Sequence, residues 1–314
     1  MAADLAQLHA EFLQECEFSA KLRKETLRGY KAGFDLLQKL LPELTLDMLT
    51  TEMMAEFFRR MEKRDRIVGR GIHKRGVKNS TVATYRSKLN KFFDWLVMRE
   101  YLKLNPLSKL PYPDVNYDDR KFLKREEVEK IFIAIGFNIQ WGNVLVKKRN
   151  IAMFSVLMNC GLRKGELINL KILDLDIERR QLTVRAETSK SKRSRIIPLN
   201  SKVLMDIKDY LEERRKRKYE TPYLLVSSTR DMKLTLDGLK HLIEKVSKAS
   251  RVSFHAHQFR HTFAVNMLNQ GCDIAKLKQL MGHTDIRMTA AYLRCLPSTA
   301  MREDVERLSL ENFV

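Results

Sequence analysis

The stretch HAHQFRHTFAVNMLNQG, beginning at His255, sets His257 and Arg260 three residues apart, one turn along the same face of an amphipathic helix. About one helix later, MGHTDIRMTAAY carries His283 and Tyr292. Upstream, CGLRKGELINL places Arg163 and Glu166 one turn apart at a helix start, behind a glycine that permits close backbone approach. Lys190 lies in the polar turn TSKSK. Guanidinium groups grip phosphate oxygens in bidentate fashion, and imidazoles donate or take protons near neutral pH. A phenol becomes a nucleophile once its proton, of pKa about 10, is removed. Phosphate chemistry is therefore open to this set. Each residue alone also has an ordinary structural reading: Arg163 with Glu166 as a salt bridge, Lys190 as a solvated turn lysine, His257 as a core histidine, His283 as a loop residue and Tyr292 as packing. A zinc site of His257, His261, His283 and Cys272 is opposed by the lack of an H-E-x-x-H glutamate and by Arg260, which repels a cation. No acidic cluster suits paired magnesium ions, so neither a metal nor a cofactor is expected.

The elements that must position these groups follow from periodicity. From Asp4 to Tyr101, apolar residues recur at spacings of three and four in DLAQLHAEFLQE, LRKETLRGYKAGFDLLQKLL, LTTEMMAEFFRRM and NSTVATYRSKLNKFFDWLVMREYL. These predict a small bundle, with Pro42 ending the second helix and Asn79, Ser80 and Thr81 supplying capping chemistry to the fourth. NPLSKLPYPDVNYDD breaks the period and predicts an extended linker. Beyond it, QLTVRAE and RSRIIPL alternate with period two around TSKSK, which predicts a β-hairpin among further helices. The expected fold is mainly α with a small antiparallel β-sheet. Its parts are a helical bundle over 1–104, a linker over 105–118, a second domain over 119–297 and a tail over 298–314.

Composition points to the partner. The chain carries 59 Lys plus Arg against 39 Asp plus Glu, a net charge of +20, which attracts a polyanion such as nucleic acid. The excess is clustered in RRMEKRDRIVGRGIHKRGVK, KSKRSR and EERRKRK, as suits a protein wrapping a duplex. Arg70, Lys74, Arg75, Lys78, Lys192 and Arg193 are the candidate DNA contacts. The first four lie in or beside the segment RDRIVGRGIHKRGVK, which reads either as a phosphate-tracking loop or as a solvated hairpin. No run of eighteen apolar residues occurs, so no membrane span is expected. MAADLAQLHAEFLQECEF has acids where a signal peptide needs a basic and then an apolar region. Cys16, Cys160, Cys272 and Cys295 are scattered, as buried free thiols in a reducing, cytoplasmic compartment would be.

Taken in order, G-L-R-x-G-E, a hairpin lysine before R-x-x-P, H-x-x-R-H, G-H and a tyrosine nine residues on resemble the tyrosine recombinases, the phage integrase family. The resemblance covers the whole chain. It implies a SAM-like, DNA-binding core-binding domain followed by a catalytic domain, closing on DNA as a clamp. It matches Arg163 to the first arginine, Glu166 to the acidic residue supporting it, Lys190 to the hairpin lysine, His257 and Arg260 to the H-x-x-R box, His283 to the second histidine and Tyr292 to the nucleophile. In such a site Arg163 and Arg260 hold the charge building on non-bridging oxygens, and Lys190 is a general acid for the leaving 5′ oxygen. His257 accepts a proton or orients the phosphate, and His283 donates to it. The implied activity is site-specific cutting and rejoining of double-stranded DNA through a 3′-phosphotyrosyl intermediate, without metal or high-energy cofactor. The implied partners are inverted-repeat half-sites and copies of this chain, a dimer per site and a synaptic tetramer. Type IB topoisomerase-like nicking and resealing, or a non-cleaving accessory role, are the alternatives.

Three departures from the family pattern stand out. Met281 replaces the common leucine before Gly-His. Lys190 is flanked by Ser189 and Ser191 in place of glycines, and Lys192 is close enough to compete for its role. The bundle begins near residue 4, so no additional arm-binding domain is expected and the chain looks closest to compact Xer-like or mobile-element integrases, acting on a prokaryotic nucleoid. The tail STAMREDVERLSLENFV has an apolar face in Val305, Leu308 and Phe313, which either packs on its own domain or is exchanged between protomers.

Overall fold

The computed structural model describes residues 4–69, 71–115 and 122–296. The chain forms two compact units, Met1–Asn116 and Tyr117–Val314. Arg70 and the tail lie outside the described residues.

In the first unit, helices α1 (Leu5–Phe18), α2 (Lys24–Leu40), α3 (Thr51–Lys63) and α4 (Asn79–Met98) form the expected bundle. Their apolar stripes bring Leu8, Phe12, Phe34, Phe57, Phe92 and Leu96 into one core. Asp4 and Thr50 cap α1 and α3 by accepting from Ala6 N and Met53 N, and α2 stops just short of Pro42. The capping expected of α4 is corrected: Lys78 occupies the N-cap without a side-chain bond. Asn79 is instead drawn away to donate to Asp114 O at 2.9 Å. The start of the expected linker also packs on the bundle. Leu107 is buried in the core, and the Arg86 guanidinium donates to the carbonyls of Leu107, Leu110 and Pro111 at 2.9, 2.7 and 3.0 Å.

The basic segment before α4 is an antiparallel hairpin of β1 (Asp65–Val68) and β2 (Ile72–Arg75), paired from Asp65↔Arg75 to Val68↔Ile72. Gly76 closes it at φ +69, where an added Cβ would lie 2.3 Å from Glu62 O. Only glycine meets both conditions.

The second unit begins with α5 (Arg125–Ile133), which runs into a π turn, and α6 (Val144–Cys160). Helix α6 buries residues on nearly every side, the mark of a central helix. Short α7 (Lys164–Ile168) leads to a three-stranded antiparallel sheet of β3 (Leu175–Asp176), β4 (Gln181–Val184) and β5 (Arg195–Pro198). The predicted hairpin is the β4–β5 pair, with Leu182 facing Ile197. β3 is too short to alternate visibly in sequence. The chain continues through α8 (Ser201–Lys216), α9 (Leu236–Ser250), α10 (Ala256–Asn269), α11 (Ile274–Met281) and α12 (Arg287–Ala290). No helix among the described residues is long and apolar enough to cross a membrane.

Candidate active site

Two glycines set the frame. Gly161 ends α6 at φ +57, where a Cβ would meet the Phe263 ring at 2.4 Å, and Gly282 follows α11 at φ +62, where a Cβ would meet Arg195 Nη1 at 2.9 Å. Both turns are left-handed and both leave carbonyls for guanidinium groups: Arg260 Nη1 donates to Gly161 O at 2.5 Å and Arg163 Nη2 to Gly282 O at 3.3 Å. Arg260 Nη2 also donates to Met281 O at 2.6 Å. Carbonyl ties of this kind fix the planar group without neutralising it.

Glu166 supplies a buried carboxylate. Its Oε2 accepts from Arg163 N at 2.9 Å, at the start of α7, and its Oε1 from Arg163 Nη1 at 2.8 Å. Arg195 on β5 reaches the same carboxylate and donates from Nε to Leu280 O at 2.7 Å. Burial alone would raise the Glu166 carboxyl, but the hydrogen bond and charge of Arg195, with the Arg163 backbone and charge, overcome it and bring it down to about 2. Arg260 is pushed down to about 9, first by burial and then by the Arg163 charge, and stays a cation at neutral pH. One carboxylate thus serves three guanidiniums, and the excess charge favours an anion arriving between them.

The anion has a place to sit. An open cavity of about 1260 Å³ is lined by Arg163, Lys190, His257, Arg260, His283 and Tyr292, together with His255, His261 and Lys240. All six expected catalytic residues therefore come together, while Glu166 lies behind Arg163 at 1% side-chain exposure. Lys190 is exposed at the rim, and Lys192, at φ +53, does not line the cavity. Arg193 is exposed on the same connection, whereas Lys74, Arg75 and Lys78 are exposed on and beside β2 of the first unit.

The histidines are more closely engaged than their spacing suggests. Arg260 Nη2 lies 2.9 Å from His283 Nε2, and a guanidinium only donates, so that nitrogen accepts. His283 Nδ1 then carries the proton and donates to Thr289 Oγ1 at 2.9 Å. Tyr292, 2% exposed, stands at the start of the turn after α12 and stacks on His283 at 6.5 Å. Its hydroxyl meets His261 Nδ1 at 2.8 Å. His257 packs edge-on against His261 at 4.4 Å, yet among the described residues no three His, Cys, Asp or Glu side chains group as metal ligands.

Two residues of this site lacked a role from sequence. Arg195 is the arginine of R-x-x-P, and its position opposite Val184 in a predictable hairpin was the available signal. His261, directly after Arg260 and one helical turn beyond His257, had weight only as a zinc ligand.

The phage integrase family matches residues 121–298, and the phage integrase N-terminal SAM-like domain matches residues 10–100. The chain belongs to the phage integrase family and is a tyrosine recombinase. It is 33% identical over 224 residues to the tyrosine recombinase XerA of Pyrococcus furiosus, covering 69% of this chain and 73% of that protein. To the tyrosine recombinase XerC of Oceanobacillus iheyensis it is 28% identical over 257 residues, 80% of this chain and 81% of that one. The crystal structure of the XerH site-specific recombinase bound to a palindromic difH substrate matches at TM-score 0.72 and 18% identity, over 96% of this chain and 84% of that chain. That last likeness is one of fold.

Proposed function

We propose that this tyrosine recombinase cuts and rejoins double-stranded DNA at inverted-repeat sites, with Tyr292 as its nucleophile. The observation that carries the reading is the convergence of Arg163, Arg260 and Tyr292 on one cationic cavity. A scissile phosphate enters between the two guanidiniums, which hold its non-bridging oxygens as charge builds in the transition state. His257, on the exposed side of α10, donates to the phosphate, and so does His283 Nε2 once the phosphate takes over its contact with Arg260 and the ring proton moves from Nδ1 to Nε2, Thr289 Oγ1 then donating to Nδ1. The Tyr292 oxygen attacks phosphorus, the bond to the 5′ oxygen breaks, and Lys190 protonates that leaving oxygen. A 3′-phosphotyrosyl bond replaces the phosphodiester at similar energy, so a 5′ hydroxyl from a second duplex can reverse the step without a high-energy cofactor.

The relatives named as tyrosine recombinases and the neighbour bound to a palindromic substrate support a symmetric arrangement, one protomer per half-site and four in the synapse. The protein then works in the cytoplasm, on the nucleoid. Lys74, Arg75 and Lys78 of the first unit and Lys192 and Arg193 of the second contact DNA phosphates.

A nicked suicide duplex tests the reading, because cleavage beside a nick releases a short strand and traps the adduct. The wild-type protein should give a denaturation-resistant adduct mapping to Tyr292, and Tyr292→Phe should bind but give none. Transfer of the trapped strand to a second duplex separates recombination from resealing within one duplex.

A further inference from the structure

The transition state needs the Tyr292 proton to leave, and a group within hydrogen-bond distance of the Tyr292 hydroxyl is not one of the six expected catalytic residues. His261 Nδ1 lies 2.8 Å from the Tyr292 hydroxyl, with the rings 5.5 Å apart and tilted by 52°. Tyr292 is 2% exposed, so bulk water has poor access to take the proton. The nitrogens of His283 are engaged by Arg260 and Thr289, and that arrangement leaves no lone pair on them for the phenol. His257 presents its ring edge-on to His261 at 4.4 Å, one turn earlier on α10, which restricts how the His261 imidazole can turn.

Resting on the reading of Tyr292 as nucleophile, we propose that His261 is the proton acceptor for Tyr292 during strand cleavage and the proton donor during rejoining. The phenol donates, so His261 Nδ1 offers its lone pair and the ring proton sits on Nε2. As the Tyr292 oxygen bonds to phosphorus, its proton passes to Nδ1 and His261 becomes imidazolium. The bond from phosphorus to the 5′ oxygen breaks, and that oxygen takes its proton from Lys190. In rejoining, an incoming 5′ hydroxyl returns a proton to Lys190 and attacks phosphorus, the bond to the Tyr292 oxygen breaks, and His261 gives its proton back. One proton enters and one leaves at separate stations, so no water need reach the buried phenol. His257 keeps its role at the phosphate.

The test uses the full-length protein on nicked suicide duplexes whose half-sites are first selected by the wild-type protein from randomised DNA. Adduct formation is measured in single turnover, with oxygen or sulfur at the bridging 5′ position. His261→Ala removes the imidazole. His261→Asn keeps a polar atom near the Nδ1 position but takes no proton. Both variants should bind the half-site as wild type does, which also reports folding, and both should form adduct roughly 100-fold more slowly. Sulfur leaves without needing an acid, so it should rescue Lys190→Ala and leave both His261 variants slow. Wild-type cleavage by His261→Asn would reduce His261 to a positioning contact, and rescue of the His261 variants by sulfur would make it an acid. Either result overturns the proposal. No adduct with wild-type protein, or an adduct surviving in Tyr292→Phe, overturns the nucleophile itself, a failure distinct from that of His261.

Discussion

Arg195 and Glu166 meet as a two-pronged ion pair, Nη2 to Oε2 at 2.7 Å and Nη1 to Oε1 at 3.1 Å, with side-chain exposures of 7% and 1%. The pair ties β5 to α7, and the same carboxylate holds Arg163. A change at Glu166 is therefore felt at the cavity-lining guanidinium of Arg163, although the carboxylate does not line the cavity.

Glu166→Ala should destabilise the second unit by about 3–5 kcal/mol, the usual cost of leaving buried cations without their partner. The folded carboxyl is depressed to about 2 from an ordinary 4.5, so its contribution is complete above about pH 4.5 and is lost as pH falls towards 2. Denaturant unfolding of wild type and variant should thus show a gap at pH 7 that narrows on acidification. A gap independent of pH would mean that packing, and not the ion pair, is lost.

Arg260→Lys keeps the charge but has one nitrogen to replace two that donate to Gly161 O, Met281 O and His283. Cleavage should fall roughly 10²- to 10³-fold while half-site binding changes little, because the missing interaction grows towards the transition state. Arg163→Lys should behave alike, and a chelator should leave the wild-type rate unchanged. Restoration of a chelator-treated enzyme by magnesium or zinc would reinstate metal chemistry. Equal losses in binding and cleavage would place the two arginines in ordinary phosphate docking.

How far this site could be read from sequence differs residue by residue. Arg163, Glu166, His257 and Arg260 are legible because a single helical turn brings each pair together, and local spacing is what sequence displays. His283 and Tyr292 are legible through motif order. The contacts of Arg195 with Glu166 and of His261 with Tyr292 join residues 29 and 31 positions apart, and no periodicity reports a partner at that distance. The β1–β2 hairpin shows the other limit: β1 varies only between exposed and half-buried residues and β2 is exposed throughout, so no fully buried face imposes an apolar alternation to recognise. Asn79 is a third case, since its capping chemistry is outbid by a carbonyl 35 residues away.

His9 gives the first unit its own pH response. Burial, with the nearby Lys31 charge, lowers its pKa from 6.5 to about 4, and the ring stacks on Phe34 at 4.0 Å. Between those values the unfolded chain binds a proton that the folded unit refuses, so stability falls as pH drops from about 6.5 to about 4. Hydrogen exchange of the α1 amides should accelerate over that window, relative to the rate expected from pH alone. His9→Phe keeps a ring against Phe34 and should remove the acceleration. If the variant shows the same pH response, another group is responsible.

The exposed cations of the hairpin can be tested through salt. Lys74 and Arg75 lie on β2 and Lys78 just beyond it, all exposed, while Arg66 on β1 anchors the hairpin by donating to Gly76 O at 2.7 Å. This anchoring holds the basic strand in a defined shape, which a charge run on a loose loop would lack. Each phosphate contact contributes about −0.9 to the slope of log binding constant against log salt. Replacing Lys74, Arg75 and Lys78 together by Gln should therefore flatten that slope by up to roughly 3, without altering which half-site sequence is preferred, because phosphates carry no sequence information. A flattened slope with altered site preference would mean that the hairpin reads base edges. An unchanged slope would assign these cations to solvent.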